Sequence, residues 1–245
     1  MRYRQLRESG LRGASGPGAG GPAGRRENVV LATKFGMDMG DGTVARGSRK
    51  YIRRAVEESL RRLQTDYIDL YQYHAPDGVT PFEETLATLD DLITDGKVRY
   101  IGSSNFAGWQ IADADWIART RRQVRFVSAQ NHYSLLQRDA EREVIPSCMN
   151  CDVGVLPYFP LANGLLTGKY SRGQGPPRGT RLAGRESELT DEVFDKLEAL
   201  ERFGEEHWTL ATGCCDRWPG GHAGDRFGYR GGDETRTSAD QCHRR

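Results

Sequence analysis

The chain of 245 residues is long enough to form one large domain with a sizeable hydrophobic core. Its 35 Lys and Arg residues nearly balance its 34 Asp and Glu residues, which gives no support for a nucleic-acid or membrane-surface partner. No apolar run approaches the roughly 18 residues of a membrane-spanning helix, and the cysteine pattern does not suggest a disulfide framework. We therefore expect a protein of the reducing cytoplasm.

Glycine is unevenly distributed and divides the chain into three segments. Of the 30 glycines, 14 lie within residues 10–24 and 213–232, while the middle has the composition of an ordinary globular protein. We predict an irregular Gly/Arg-rich segment over 1–26, a folded region over 27–206 and an irregular, disordered tail over 207–245.

From Val29 onward the pattern alternates between strands and helices. The run VVLATK (29–34) is apolar and rich in β-branched residues, which is typical of a strand buried on both faces. Ile52, Val56 and Leu60 then recur at helical spacing after Ser48, a residue type that caps helices. The pattern predicts further strands at 67–74, 98–105, 124–130 and 153–160, and further helices at 81–97, 107–121, 138–150 and 191–206.

The spacing of these elements limits the fold to two α/β classes. Five strand–helix units begin near residues 29, 67, 98, 124 and 153. Units of this length imply parallel strands joined by right-handed crossovers, either in a (β/α)8 barrel or in an open doubly wound sheet. A barrel needs about eight units, so the five units fit the middle of a barrel and three are unaccounted for.

Polar side chains stand where the predicted strands end. They are Lys34, His74, Ser104, Asn105, Gln130 and Tyr158. Each of these residues alone is ordinary, since a lone lysine is usually solvated and a lone histidine usually packs. The C-terminal ends of parallel strands, however, meet on one rim, where barrel enzymes keep their chemistry. The pattern therefore predicts a functional site on this rim.

Four stretches, in this order, resemble the aldo-keto reductase family and especially its bacterial members. They are VVLATKFG (29–36), RAVEESLRRLQTDYIDLYQYHAPD (54–77), GKVRYIGSSNFAGWQI (96–111) and LPYFPLANGLLTGKY (156–170). The resemblance covers about residues 27–206. It implies a TIM barrel that is incomplete, because about five of eight units are recognisable. It also implies NADPH-dependent reduction of an aldehyde or ketone, a small-molecule carbonyl substrate, to an alcohol.

The resemblance assigns catalytic roles to Lys34 and His74. In the family a Tyr gives the proton, a Lys lowers the pKa of that Tyr, an Asp pairs with the Lys, and a His orients the carbonyl. Lys34 matches the family Lys and His74 matches the family His. This arrangement is physically reasonable, because a phenol with a pKa near 10 is a poor acid at neutral pH unless a nearby cation favours its anion.

Seven positions match family residues that bind the cofactor: Ser104, Asn105, Gln130, Tyr158, Leu161, Gly164 and Leu165. The first three match residues that hydrogen-bond the nicotinamide carboxamide. Tyr158 matches the aromatic residue that stacks on the nicotinamide ring, and the last three match the pyrophosphate loop.

The chain also departs from the family pattern. The family's Asp and Tyr belong to a unit between an SGL start and the LATK strand, and we find no match for that unit. Tyr73 does not replace the Tyr, because it is adjacent to His74 and neighbouring strand residues face opposite sides; a contact between Asp77 and Lys34 stays open. The family commonly has Ser where this chain has Phe159. Because the family's Asp and Tyr have no match, we expect little turnover by this chain. The alternatives to an active reductase are a non-catalytic nucleotide- or protein-binding remnant and a remnant that folds poorly.

The tail carries a further hypothesis. The family has a last strand and a GATRPEQV-like motif that grips the adenosine 2′-phosphate. Permitted codons for residues 221–245, read one base later, can encode such a motif, so we hypothesise a frameshift there. The nucleotide sequence of the gene tests this, since incompatible codons would exclude it.

Two short motifs are discounted, and we predict no metal site. The stretch GPGAGG (16–21) matches G-x-G-x-x-G, but it follows no strand, contains Pro17 and opens no helix. Cys148 and Cys151 form a C-x-x-C with zinc-like spacing. Cys148 lies late in a predicted helix, at a place where the resemblance implies no metal.

Overall fold

The computed structural model describes residues 26–206. The expectations for the glycine-rich start and for the tail concern residues outside this range. The described residues form a five-stranded sheet in the order β1-β2-β3-β4-β5, and every pairing between neighbours is parallel. This sequential order is that of a barrel wall and differs from a doubly wound sheet, in which the order reverses at a switch point.

The element bounds agree closely with the strand–helix pattern of the sequence. The strands are β1 (Ala32–Phe35), β2 (Ile68–Tyr73), β3 (Val98–Ser104), β4 (Phe126–Gln130) and β5 (Gly154–Val155). The α-helices are α1 (Arg49–Leu63), α2 (Phe82–Thr94), α3 (Gly108–Arg121), α4 (Val144–Asn150) and α5 (Asp191–Glu206). Short 3₁₀ helices lie at Arg26–Asn28, Asp139–Glu141, Ala162–Thr167 and Glu186–Glu188.

Two predicted elements that contain proline are shorter than expected. Pro146 is the third residue of α4, so the helix begins at Val144, where proline still falls in the first turn and needs no intrahelical donor. Pro157 follows β5, and beyond Val155 the chain stays beside β4 through the Leu156 N–H, which donates to the Ala129 carbonyl at 2.9 Å, and through a bridge between His132 and Tyr158. Pro157 is tolerated there because the residues on either side of it make the bonds to β4.

The prediction that the first strand is buried on both faces is wrong. Val29 and Val30 precede β1 and are exposed, the latter by 80%. Ala32 within the strand is exposed as well. The reason is topological: among the described residues β1 pairs only with β2, so it forms an edge of the sheet.

The main hydrophobic core lies between the sheet and the helices. Phe35 stacks on Tyr73 with ring centroids 4.9 Å apart, and Tyr73 meets Phe106 edge-on at 5.7 Å. From α1, Ile52 and Val56 are fully buried in the same cluster, as their helical spacing predicted. A smaller cluster joins the 3₁₀ segment at Ala162–Thr167 to α5.

A charged network lies near the N-terminal ends of β1, β2 and β3. The buried carboxylate of Asp69 accepts the Leu31 N–H at 2.9 Å and pairs with Arg26 at 2.7 Å and Arg99 at 3.2 Å. The Tyr67 ring contacts both guanidinium groups, at 3.9 and 4.0 Å from its centroid. The network ties the segment before β1 to β2 and β3.

Within residues 26–206, no helix is long and apolar enough to cross a lipid bilayer. Over the same range, no three His, Cys, Asp or Glu side chains are grouped to hold a metal ion. Cys148 and Cys151 are free and buried. Burial raises the pKa of the Cys148 thiol to about 12, and the neighbouring Cys151 adds to the effect.

A row of paired residues crosses the sheet just below the rim. Lys34 pairs with Gln72, Gln72 with Gly102, Gly102 with Ser128, and Ser128 with Gly154. Side chains that pair across neighbouring strands share one face, so this row lies opposite Tyr73 and the helices. A Cβ at Gly102 would lie 3.0 Å from the Ser128 carbonyl oxygen and closer still to its hydroxyl, so glycine permits the approach of β3 and β4.

We expect Gly102→Ala to lower the free energy of unfolding by about 1–3 kcal/mol, because the added methyl forces the two strands apart. Gly102→Ala/Ser128→Ala should recover part of that loss, since the nearest atom is the Ser128 hydroxyl. Ser128→Ala alone should cost little, because this hydroxyl has no hydrogen-bond partner within the described residues. Urea unfolding of the four proteins measures the cycle, and a Gly102→Ala variant as stable as the wild type would contradict it.

Candidate active site

The structure brings the predicted strand-end residues to one rim. Lys34 lies near the end of β1, and His74 directly follows β2. The backbone N–H of His74 donates to the Phe35 carbonyl at 2.8 Å. Asn105 follows β3 and its N–H bonds the carbonyl of Gln130, the last residue of β4, at 3.0 Å. These bonds join the C-terminal ends of consecutive strands.

Asn105 connects the parts of this rim. Its φ of +57° lies in the left-handed region, which asparagine tolerates better than most residues. Its side-chain Nδ2 donates to the His74 carbonyl at 2.9 Å and to the Ser104 hydroxyl at 3.2 Å. Its Oδ1 accepts from the Tyr158 hydroxyl at 2.8 Å. One amide therefore links three strand ends.

Lys34 and His74 are electrostatically coupled: the positive charge of Lys34 acts on a neutral His74. Lys34 is partly buried, and within residues 26–206 it makes no ion pair or hydrogen bond through its side chain. Burial lowers the pKa of Lys34. Burial, and then the positive charge of Lys34, lower the pKa of His74 to about 4. At neutral pH His74 is therefore an uncharged imidazole, which can donate one N–H to a carbonyl oxygen.

The contact between Asp77 and Lys34 that the sequence left open does not form. The Asp77 carboxylate accepts the Gly47 N–H at 2.7 Å, the Val79 N–H at 3.0 Å, and the N–H and hydroxyl of Thr80 at 2.8 and 2.7 Å. Burial raises the pKa of Asp77, but these hydrogen bonds outweigh it and hold the pKa at about 2. Asp77 thus fixes the loop between β2 and α2.

Tyr73 is turned away from the rim, as strand alternation predicted. Its hydroxyl accepts the Asp77 N–H at 3.0 Å. A Cβ at Gly47 would lie 2.6 Å from this oxygen and 2.8 Å from the Thr85 hydroxyl, so the phenol is enclosed between the loop and α2. Burial raises the pKa of Tyr73 well above its usual range. Tyr73 is therefore unsuited to donate a proton at this site.

The polar groups beside Asn105 have the hydrogen-bonding chemistry of an amide-binding site. Ser104 is buried, and Gln130 carries a buried Oε1 that accepts no hydrogen bond within the described residues. A buried acceptor without a donor costs about 1–3 kcal/mol, so a ligand N–H placed here would be bound favourably. The Ser104 hydroxyl and the Asn105 amide add further polar groups next to it.

The predicted pyrophosphate turn follows β5. Ala162, Asn163 and Gly164 all have left-handed φ, at +48°, +58° and +93°. A Cβ at Gly164 would lie 2.6 Å from Lys169 Nζ, so the lysine ammonium lies directly against the turn. Leu165 is buried below it and Leu161 precedes it. Sequence reasoning did not single out Lys169; its place five residues after a turn glycine was the available signal.

Comparison with known proteins is consistent with this geometry. The model of the Aldo/keto reductase family matches residues 13–218. This chain belongs to the aldo/keto reductase family. An uncharacterized oxidoreductase of Bacillus subtilis, YrpG, is 48% identical over 186 residues, which are 74% of this chain and 55% of that protein. The aldo-keto reductase dtxS3 of Metarhizium robertsii is 44% identical over 159 residues, or 64% of this chain and 42% of its own length.

A third relative of this aldo/keto reductase is the versiconal hemiacetal acetate reductase of Aspergillus parasiticus. It is 36% identical over 199 residues, which cover 71% of this chain and 58% of the relative. The chain thus spans about half the length of the curated relatives it matches. The family prediction is confirmed, as is an incomplete barrel of the (β/α)8 type with five parallel strands. The relatives include proteins named as oxidoreductases and reductases, while the activity of this chain and the roles of individual rim residues stay predictions.

We expect His74 of this aldo/keto reductase to titrate with a midpoint near 4, and Lys34→Met to raise that midpoint by removing the neighbouring charge. Because the pKa of His74 is lower in the folded protein than its ordinary value of 6.5, the unfolded chain binds more protons between these values. The free energy of unfolding should therefore fall as the pH drops from 6.5 to about 4. NMR titration of the His74 ring measures both proteins, with His132 as the internal reference; a midpoint near 6.5, unchanged by Lys34→Met, would refute the assignment.

Proposed function

We propose that this chain binds NADPH across the strand rim and reduces an aldehyde or ketone to an alcohol. The observation that carries the proposal is the unpaired, buried Oε1 of Gln130 next to Ser104 and Asn105. The carboxamide of a nicotinamide offers the N–H that this acceptor lacks, and also a carbonyl for a neighbouring donor. When bound, the cofactor supplies a hydride to the carbonyl carbon of the substrate.

The remaining predicted residues fit the rest of a dinucleotide. Tyr158 presents an aromatic ring whose hydroxyl reaches Asn105, so the ring lies beside the proposed carboxamide pocket. The turn at Leu161, Gly164 and Leu165 would hold the pyrophosphate through its backbone, and Lys169 adds a positive charge against the same turn. A cation that contacts a left-handed turn favours a phosphate group there.

Lys34 and His74 act on the substrate oxygen in this proposal. The neutral His74 ring donates a hydrogen bond that orients the carbonyl, and the ammonium of Lys34 stabilises negative charge as it develops on that oxygen. Tyr73 is turned away from the rim, and Tyr158 donates its hydroxyl hydrogen to Asn105. We therefore propose that Lys34 works without the tyrosine proton donor of the family resemblance, and that the alkoxide formed by hydride transfer takes its proton from water. Turnover is then slow, since general acid catalysis contributes roughly 10²–10⁴-fold.

The first test is binding. NADPH should raise the thermal unfolding midpoint of the purified chain, because a ligand that binds only the folded state stabilises it. Gln130→Leu should weaken NADPH binding about three- to tenfold by removing the unpaired acceptor. Gln174→Leu, the same change on an exposed loop, is the control. A chain that NADPH does not stabilise, or a Gln130→Leu variant that binds as tightly as the wild type, would refute the proposal.

The second test is turnover over a panel of aldehydes and ketones, followed as NADPH oxidation. We expect slow but measurable reduction by the wild type. Lys34→Met should lower it to background and change NADPH affinity little, because Lys34 acts on the carbonyl oxygen. NADPH binding without turnover on any carbonyl would leave a nucleotide-binding protein and remove the catalytic part of the proposal.

A further inference from the structure

Three rings form a compact group where β4 and β5 run on past the rim. We call them the aromatic clamp: His132, Tyr158 and Phe159. The His132 and Tyr158 rings are stacked, with centroids 5.1 Å apart and planes 12° from parallel. Phe159 meets both rings edge-on, at 5.7 Å from His132 and 5.3 Å from Tyr158. Each ring of the clamp therefore touches the other two.

The backbone holds these rings in register. His132 and Tyr158 form a parallel bridge beyond the regular strands, and the Tyr158 N–H bonds the Asn131 carbonyl at 3.0 Å. Asn131 is anchored in turn, because its Nδ2 donates to the Phe106 carbonyl at 2.9 Å. Phe159 has a left-handed φ of +53°, a costly conformation for a phenylalanine. The turn is maintained against that cost and directs the Phe159 ring onto the edges of the other two.

The stack supplies a constraint that the Tyr158 hydrogen bond cannot supply. The phenol oxygen of a tyrosine lies on the axis about which its ring rotates. The bond from the Tyr158 hydroxyl to Asn105 Oδ1, at 2.8 Å, therefore fixes the end of the side chain and leaves the rotation of the ring plane undetermined. A flat partner stacked on the ring determines that rotation, and His132 is such a partner.

We propose that His132 is a positioning residue of the nicotinamide site, whose imidazole sets the plane of the Tyr158 ring on which the nicotinamide lies. This inference rests on the proposed function, in which Tyr158 is the stacking aromatic. It goes beyond that function in assigning a role to His132 and to Phe159, the residue at which the chain departs from the family pattern. Phe159 limits the sliding of both rings by its edge contacts.

The charge of His132 suits this role. Burial lowers the pKa of His132 below its usual range, so the imidazole is uncharged at neutral pH. An uncharged ring can stack on the phenol without placing a second cation beside a nicotinamide, which is itself positive when oxidised. The role requires a flat ring and neither a charge nor a hydrogen bond, and this requirement makes it testable.

The experiment compares two apolar replacements that differ in having a ring. NADPH affinity is measured for the wild type, His132→Leu and His132→Phe, and again with the NADPH fragment that lacks nicotinamide, 2′-phosphoadenosine diphosphoribose. We expect His132→Leu to weaken NADPH binding about three- to tenfold and to leave the fragment unchanged. His132→Phe should bind both as the wild type does. Trp116→Leu, which removes an exposed aromatic ring from α3, is the matched control.

The outcomes separate this inference from the proposed function. A cooperatively folded wild type that binds the fragment and NADPH equally, or neither of them, refutes a nicotinamide site and the role of His132 with it. If the wild type prefers NADPH, then a loss in His132→Phe as large as in His132→Leu, or an equal loss of fragment binding, refutes the stacking role alone. His132→Asn, which also lacks an aromatic ring, replaces His132→Leu if that variant does not fold. In a Tyr158→Leu background a change at His132 should have no further effect on NADPH affinity.

Discussion

The register between parallel strands is the constraint on which the site depends. Lys34, Gln72, Gly102 and Ser128 are paired directly across four strands. The residues that follow in each strand therefore reach the rim at the same height, so that His74, Asn105 and Gln130 can be joined by backbone hydrogen bonds and one asparagine amide. Gly102 favours this arrangement, since a Cβ at this position would crowd Ser128 and push β3 and β4 apart.

Electrostatics at the rim follow from partial burial rather than from ion pairing. The one carboxylate close in sequence to His74 belongs to Asp77, and four hydrogen bonds commit it to the loop between β2 and α2. Lys34 is thereby left without a carboxylate within residues 26–206, and its charge instead lowers the pKa of His74. The result is a cation beside a neutral donor, which suits an oxygen that gains negative charge during reaction.

The cofactor side of the site depends on contacts between segments distant in sequence. Asn105 meets Tyr158, Gly164 meets Lys169, and His132 meets both Tyr158 and Phe159. Asn105, His132, Tyr158 and Phe159 lie just past the ends of β3, β4 and β5, while Gly164 and Lys169 lie in and after the 3₁₀ segment that follows. A sheet that carries its functional loops at the C-terminal ends of the strands is the usual arrangement of a barrel enzyme.

The sequence by itself determined the alternation of strands and helices, the parallel direction of the strands and the positions of Lys34 and His74 near strand ends. These features depend on local periodicity and on the two-residue repeat of a strand, which also placed Tyr73 on the far side. Tertiary structure alone decided that Asp77 bonds to Gly47, that Lys169 lies against Gly164, and that His132 stacks on Tyr158. It also decided that Val30 is exposed, because that depends on whether a neighbouring strand covers it. Such contacts follow from how loops fold back over the sheet, and no local pattern of residues encodes that path.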